Sequence, residues 1–154
     1  MGRGLCLGAV AHERLIVDLA YLLTPFCAWL AAGSIKFLVN SARAGRLAFD
    51  LIGYGGLPSN HSAIVSSMAA LIALREGIGN PVFGLALALA FIVMLDARSL
   101  RREVGRHAEA LNRLAENRPE HAALRERIGH TPLEIAAGVI VGVLVAFVVN
   151  RFGH

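Results

Sequence analysis

The strongest indication of the fold is the segment GHTPLEIAAGVIVGVLVAFVVNR at residues 129–151. Its apolar part is close to the roughly 20 residues that a helix needs to cross the hydrocarbon core of a bilayer. Thr131 and Glu134 have the spacing of a capping box, and Pro132 suits the first position of a helix. The segment therefore predicts a transmembrane helix over residues 132–150.

The whole chain shares this apolar character. Of its 154 residues 56% are hydrophobic, and the mean hydropathy is +0.60, whereas soluble domains are about 45–50% apolar. A chain of this length has too little interior to bury the excess. Because only 6% of the residues are aromatic, the apolar residues are mainly helix formers. The composition predicts an all-α integral membrane bundle that forms a single domain over residues 1–154.

Three more apolar segments precede the last one, which gives about four transmembrane helices. We predict spans at residues 15–39, 59–75, 81–97 and 132–150. Residues 98–130 differ, because apolar residues recur there at helical spacing among many charges. They predict a helical insert outside the hydrocarbon, with an amphipathic helix followed by a short helix over 119–128 that ends at Gly129.

The basic charge of the chain predicts its orientation. A net charge of +4 in a membrane protein usually reports topology, so we expect no nucleic-acid partner. Four spans place residues 40–57 and 98–130 on one membrane face, which then carries ten arginines against four on the other. The positive-inside rule predicts a multi-pass protein of the inner (plasma) membrane with the richer face in the cytoplasm.

Residues suited to phosphate chemistry collect on that cytoplasmic face. Phosphoryl transfer needs cations and N–H donors around the phosphate oxygens, and helix N-termini supply such donors. A neutral imidazole can attack phosphorus, a protonated one can donate to the leaving group, and a carboxylate can fix the tautomer of the first. The residues available at the ends of the predicted spans are Lys36, Arg43, His61, His130 and Glu134.

At these positions the chain resembles the type-2 phosphatidic acid phosphatases, which share a fold with the vanadium haloperoxidases. Lys36 and Arg43 have the spacing of the family's first motif. Pro58-Ser59-Asn60-His61 is similar to the second motif, Pro-Ser-Gly-His, and His130-Thr131-Pro132-Leu133-Glu134 is similar to the end of the third, with Glu in place of Asp. The layout from Lys36 to Gly142 resembles more closely the small divergent bacterial and plant branch of that superfamily.

The resemblance implies a catalytic role for three residues. His130 would be the nucleophile that forms a phosphohistidine, Glu134 would orient it, and His61 would protonate the leaving group. The expected substrate is a membrane lipid phosphate or diphosphate, of isoprenoid or glycerolipid type. The superfamily typically works without a metal, so no cofactor is expected.

The resemblance also implies a set of phosphate-binding residues. The third motif of the superfamily has an arginine six residues before its histidine, where this chain has Leu124. The neighbouring Arg125, or an arginine of the 98–102 cluster, would replace it. The predicted phosphate ligands are Lys36, Arg43, Ser59, Asn60, Arg101, Arg102 and Arg125.

Several of these residues have simpler interpretations. Glu134 could serve only as a helix cap, and Lys36 could only extend its ammonium group to the interface. Asp96, which ends an apolar span, is either a boundary residue paired with a basic neighbour, or the group that positions a phosphate-binding arginine or a divalent cation.

Two other functions stay open at this point. The first is a non-catalytic membrane protein that binds anionic lipid headgroups or a partner through its basic face. The second is a lipid phosphotransferase that uses the same site. Because the short chain encloses little volume, a homodimer that helps wall the site is a further expectation.

Overall fold

The structure is a computed structural model, and it describes residues 3–47, 56–115, 122–126 and 128–153, with the side chains of the first helix described from Leu19 onward. The described residues form helices and connections and contain no strand. The helices are α1 (Arg3–Ala44), α2 (Asn60–Arg75), α3 (Pro81–Arg98), α4 (Leu100–Ala115) and α5 (Pro132–Phe152). The prediction of an all-α membrane bundle is confirmed.

The number of candidate membrane spans is smaller than predicted. In the described part of the chain, three helical stretches are long and apolar enough to cross a bilayer: Leu19–Ala44, Pro81–Ala115 and Pro132–Phe152. The predicted span at 59–75 corresponds to α2, whose 16 residues reach about 24 Å, against about 30 Å of hydrocarbon. α2 packs against α1, α3 and α5, so it returns the chain through the middle of the bundle.

α2 and α5 form the closest helix pair, because α5 has glycines where the two backbones meet. A Cβ atom added at Gly138 would overlap the carbonyl oxygen of Ser59, and one added at Gly142 would overlap the carbonyl oxygen of Ala63 and the hydroxyl of Ser66. Small residues four apart let helix backbones approach in this way within membranes.

α1 completes the centre of the bundle with small residues of its own. Ala28 and Ala32 of α1 meet Ala63 of α2 with no exposed surface, and Val141 and Val145 of α5 pack against them. The neighbouring Thr24 is also fully buried, and its hydroxyl donates to the carbonyl of Ala20 at 2.6 Å. Many of the large apolar side chains are instead exposed on the outside of the bundle, as expected for helices surrounded by lipid.

A polar cluster joins three helices at the end of the bundle where α2 and α5 terminate. The guanidinium of Arg75 donates to Asn150 Oδ1 at 3.2 Å and to the carbonyl oxygen of Gly153 at 3.1 Å. It also lies over the ring of Tyr21 at 5.6 Å, and the Tyr21 hydroxyl donates to Glu76 at 2.8 Å. These contacts hold the ends of α2 and α5 against Tyr21, near the middle of α1.

α4 follows α3 after the single residue Ser99 and is amphipathic, as predicted. The prediction of a short helix over 119–128 is wrong where the structure describes that segment, because residues 122–126 and 128 are not helical. Their backbone bonds to α4 instead, since the side-chain amide of Asn112 accepts from Leu124 N and donates to Leu124 O, both at 2.8 Å. The remainder of the predicted helix lies outside the described residues.

The glycines at the α2–α5 contact generate the first prediction. We expect Gly142→Ala to lower the free energy of unfolding by about 1–3 kcal/mol, because the added methyl group overpacks the interface. Thermal unfolding in detergent measures the change. Gly84→Ala is the matched control, since a Cβ atom at Gly84 meets no described atom within 4 Å. Equal melting temperatures for the two variants would contradict the assignment of this contact.

Candidate active site

The antiparallel course of the helices brings four helix ends together. They are the end of α1, the start of α2, the end of α3 and the start of α5. Two backbone hydrogen bonds join the start of α5 to α2 and to α3. Ser59 N–H donates to the carbonyl of Glu134 at 2.9 Å, and His130 N–H donates to the carbonyl of Ala97 at 2.9 Å. The predicted site residues before α5 are therefore fixed to both α2 and α3.

His130 and Glu134 form a largely buried pair within the site. Nδ1 of His130 lies 3.0 Å from Oε2 of Glu134, and the two side chains are only 9% and 18% exposed. The same Oε2 accepts from Thr131 N–H at 2.9 Å, while the Thr131 hydroxyl accepts from Glu134 N–H at 3.3 Å. Glu134 thus caps α5 and contacts the imidazole at once, and the two interpretations of this residue are compatible.

The second imidazole faces the first across the helix starts. The ring centroids of His61 and His130 are 6.5 Å apart. The Nη2 atom of Arg101 lies 3.5 Å from Nε2 of His61, and Nε of Arg101 donates to Oδ2 of Asp96 at 3.0 Å. Asp96 is therefore ion-paired with an arginine that it directs toward His61.

The site is electrostatically positive around His61. His61 lies outside the three candidate spans and is exposed in part. Its partial desolvation by neighbouring groups, together with the positive charge of Arg101, lowers the pKa of His61. His130 and Lys36 act in the same direction, and Asp96 opposes them. Lys36 is half-buried on α1 and is close enough to Glu134 for their charges to interact. An anion between these groups would gain favourable interactions with several of them.

The other predicted phosphate ligands lie differently. Arg43 is exposed on α1, about two turns beyond Lys36 on the same face. Arg102 is exposed on α4, and Arg125 is exposed in the segment beside α4. Arg101 differs from these residues in lying next to His61, with its Nη2 atom 3.5 Å from the imidazole Nε2.

Ser59 and Asn60 occupy the start of α2. Ser59 is fully buried, and its hydroxyl oxygen accepts from Ser62 N–H at 3.3 Å and from the Ser62 hydroxyl at 3.0 Å. It acts as the N-cap of α2. Asn60 is half-buried, and its Oδ1 is a buried oxygen with no hydrogen-bond partner among the described atoms. Its role as a phosphate ligand stays a prediction.

Three further residues shape the site without having been assigned to it from the sequence. Ala97 supplies the carbonyl that receives His130 N–H, and no side-chain property indicates that. Gly129 has φ of +105°, which favours glycine. Gly138 lets the start of α5 reach Ser59, and the spacing Gly138-x-x-x-Gly142 is the signal that could have identified it.

In the described residues there is no cluster of three or more His, Cys, Asp or Glu side chains that could hold a metal ion. Asp96, for which the sequence leaves a divalent cation open, uses its carboxylate to bind Arg101.

The fold and the paired histidines define a helical membrane protein with a polar, cation-lined site at its helix starts. Comparison with known proteins makes this more specific: a family model described as the Divergent PAP2 family matches residues 17–145, and the chain belongs to that family. It is also 29% identical over 148 residues to an uncharacterized membrane protein, YuiD, of Bacillus subtilis (strain 168), covering 85% of this chain and 94% of the relative. No solved structure matches the chain.

The two contacts of Glu134 can be separated experimentally. We expect Glu134→Gln to keep the melting temperature, because the amide oxygen can still accept from Thr131 N–H. We expect the same variant to weaken the preference of His130 for the Nδ1-protonated tautomer, since a neutral oxygen holds that proton less strongly. Ring-nitrogen NMR shifts of His130 measure the tautomer.

Thr131→Ala is the matched control. It removes the cap hydroxyl, so it should cost about 1 kcal/mol of stability and leave the tautomer of His130 unchanged. A tautomer equally disturbed in both variants would mean that Glu134 acts on His130 only through the cap.

Proposed function

We propose that this protein is a membrane phosphatase that hydrolyses a lipid phosphate or diphosphate through a phosphohistidine on His130. The observation that carries the proposal is the contact of His130 with Glu134 at 3.0 Å, beside a second imidazole 6.5 Å away that itself faces Arg101. Membership of the Divergent PAP2 family supports the class of reaction.

Phosphate binding would use the cations and helix starts of the site. Arg101 offers a planar set of donors already oriented by Asp96, and such a group binds phosphate oxygens in pairs. Lys36 adds a point charge from α1. The N-termini of α2 and α5 add partial positive charge. The hydrocarbon tail of the substrate would lie along the apolar outer surfaces of the helices, so the amphipathic layout of the protein matches that of a lipid phosphate.

The first chemical step would transfer the phosphoryl group to His130. Its Nδ1–H donates to Glu134, which leaves the lone pair of Nε2 for attack on phosphorus. The Nε2–P bond forms as the bond from phosphorus to the lipid oxygen breaks. Protonated His61 gives its proton to that oxygen, and the lipid alcohol leaves. For a diphosphate substrate the leaving group is the lipid monophosphate.

The second step would return His130 to its starting state. Water attacks the phosphohistidine, the N–P bond breaks, and inorganic phosphate is released. Neutral His61 accepts the proton that the water loses, which regenerates the acid for the next cycle. Arg101 and Lys36 stabilise the charge on the phosphate oxygens in both steps.

The membrane orientation is part of the proposal. The excess of arginine on the connections that adjoin the site supports an orientation in which this end of the bundle would face the cytoplasm. A lipid in the inner leaflet would then reach the site sideways from the bilayer.

The phosphohistidine is tested with protein purified in detergent. We expect phosphate release from lipid phosphates to fall roughly a thousandfold or more in His130→Ala, because the nucleophile is lost. His107→Ala, at an exposed position of α4, is the control and should retain full activity. The wild-type protein is also allowed to react with radiolabelled substrate, and the reaction is then quenched. Radiolabel that stays on the protein and is acid-labile and base-stable identifies the phosphohistidine.

The other outcomes separate the competing functions. Equal phosphate release from wild type and His130→Ala would exclude the phosphohistidine. Label that appears on wild type and passes to an added alcohol rather than to water would indicate a phosphotransferase. Binding of lipid phosphates with neither label nor release would leave a non-catalytic lipid-binding protein.

The lowered pKa of His61 predicts the pH dependence. As a general acid His61 must be protonated, so kcat/KM should fall as pH rises through its pKa, which lies below the ordinary histidine value. In Arg101→Gln the loss of a nearby positive charge raises that pKa, and the alkaline limb of kcat/KM should move to higher pH while the maximum falls. Arg102→Gln is the matched control and should leave the limb in place. An unmoved limb in Arg101→Gln would exclude His61 as the acid.

A further inference from the structure

α4 carries an apolar stripe that faces away from the other helices that the structure describes. Leu100, Val104, Leu111 and Leu114 are 61%, 46%, 52% and 82% exposed. Their spacings of four, seven and three residues place them on one side of the helix. Exposed leucines along one side of an otherwise charged helix indicate a surface that is covered by something else.

Of the other two sides of α4, one packs within the protein and the other faces water. Gly105 and Ala108 are buried, and a Cβ atom at Gly105 would overlap the carbonyl oxygen of Glu126 in the neighbouring segment. The third side is charged, with an ion pair between Arg106 and Glu103 at 2.6 Å. The apolar stripe is thus separate from the side that packs within the protein and from the side that faces water.

We propose that the apolar stripe of α4 lies in the headgroup region of the membrane and that α4 binds anionic lipid. α4 starts one residue after the apolar α3 and forms the charged second half of the candidate stretch Pro81–Ala115, so its first turn lies where the apolar run ends, at the membrane surface. A charged helix with leucines on one side and arginines on another is typical of interfacial helices. α4 has four arginines against two glutamates, and this excess matches anionic headgroups.

A second copy of the chain is the less favourable occupant. The spacing of the stripe also resembles the seam of a coiled coil, but the seam would continue through His107, which lies between Val104 and Leu111 on the same side. Burying an imidazole in that row costs desolvation of a polar group. At a membrane surface the same imidazole reaches the headgroups, where it stays hydrated.

The position of Arg101 links this surface to the active site. Arg101 belongs to the first turn of α4 and contacts His61, so an anchored α4 would hold its guanidinium at the depth of the lipid phosphates. This link rests on the proposed function, whereas the anchoring of α4 does not.

Depth-dependent fluorescence quenching tests the anchoring without reference to activity. In a protein whose two native cysteines, Cys6 and Cys27, are replaced by serine, an environment-sensitive dye is attached at Leu111→Cys on the stripe. The matched position is Arg113→Cys, two residues away on the charged side. The protein is reconstituted into phosphatidylethanolamine vesicles with phosphatidylglycerol, and quenching is measured with acyl-chain spin-labelled lipid and with aqueous iodide.

We expect the dye at position 111 to be quenched by the labelled lipid and protected from iodide, and the dye at position 113 to show the reverse. Replacing phosphatidylglycerol by phosphatidylcholine should reduce lipid quenching at 111. Iodide quenching of both dyes without lipid quenching would overturn the proposal. The proposal would also be overturned if the dye at position 111 were shielded from both quenchers and Leu111→Cys formed cross-links between copies. Equal lipid quenching in both vesicles would overturn the preference for anionic lipid. Normal quenching with no phosphate release would instead count against the phosphatase.

Discussion

α5 approaches α2 so closely that a methyl group at Gly138 would overlap the carbonyl oxygen of Ser59. In lipid, apolar side chains gain little from leaving the solvent, so helix pairs depend on close backbone packing and on polar contacts. The glycines of α5 permit that packing, and the hydrogen bond from Ser59 N–H to the Glu134 carbonyl at 2.9 Å marks where it begins. Because of this contact the starts of α2 and α5 lie side by side. The two histidines, one at each helix start, are therefore close to each other.

The site combines several basic side chains with two carboxylates that contact them. Asp96 contacts Arg101, and Glu134 contacts His130. Each carboxylate thereby orients a group that would touch phosphate in the proposed mechanism. Burial and the charge of Arg101 favour the neutral form of His61. The negative charge of a bound phosphate would favour protonation of His61 when the proton is needed.

The outer end of the site is formed by α4 and the segment that follows it. The bond from His130 N–H to Ala97 fixes the start of α5 to the end of α3, and Asn112 holds the segment around Leu124 against α4. Arg101 is carried by α4 rather than by the segment that bears Arg125. In the proposed mechanism Arg101 would serve in place of the arginine that the third motif of the superfamily carries before its histidine.

The helical membrane class, the capping box at Thr131 and the amphipathic character of α4 could be predicted from the amino-acid sequence, because each depends on periodicity or local spacing. The motif spacing also predicted the histidines and carboxylates as site residues. The packing of distant segments was needed to show that Arg101 rather than Arg102 faces His61 and that residues 122–126 are not helical. The packing also showed that α2 is a short central helix. Those outcomes depend on which backbone groups of distant segments meet, and a residue's own neighbours in the chain do not encode that.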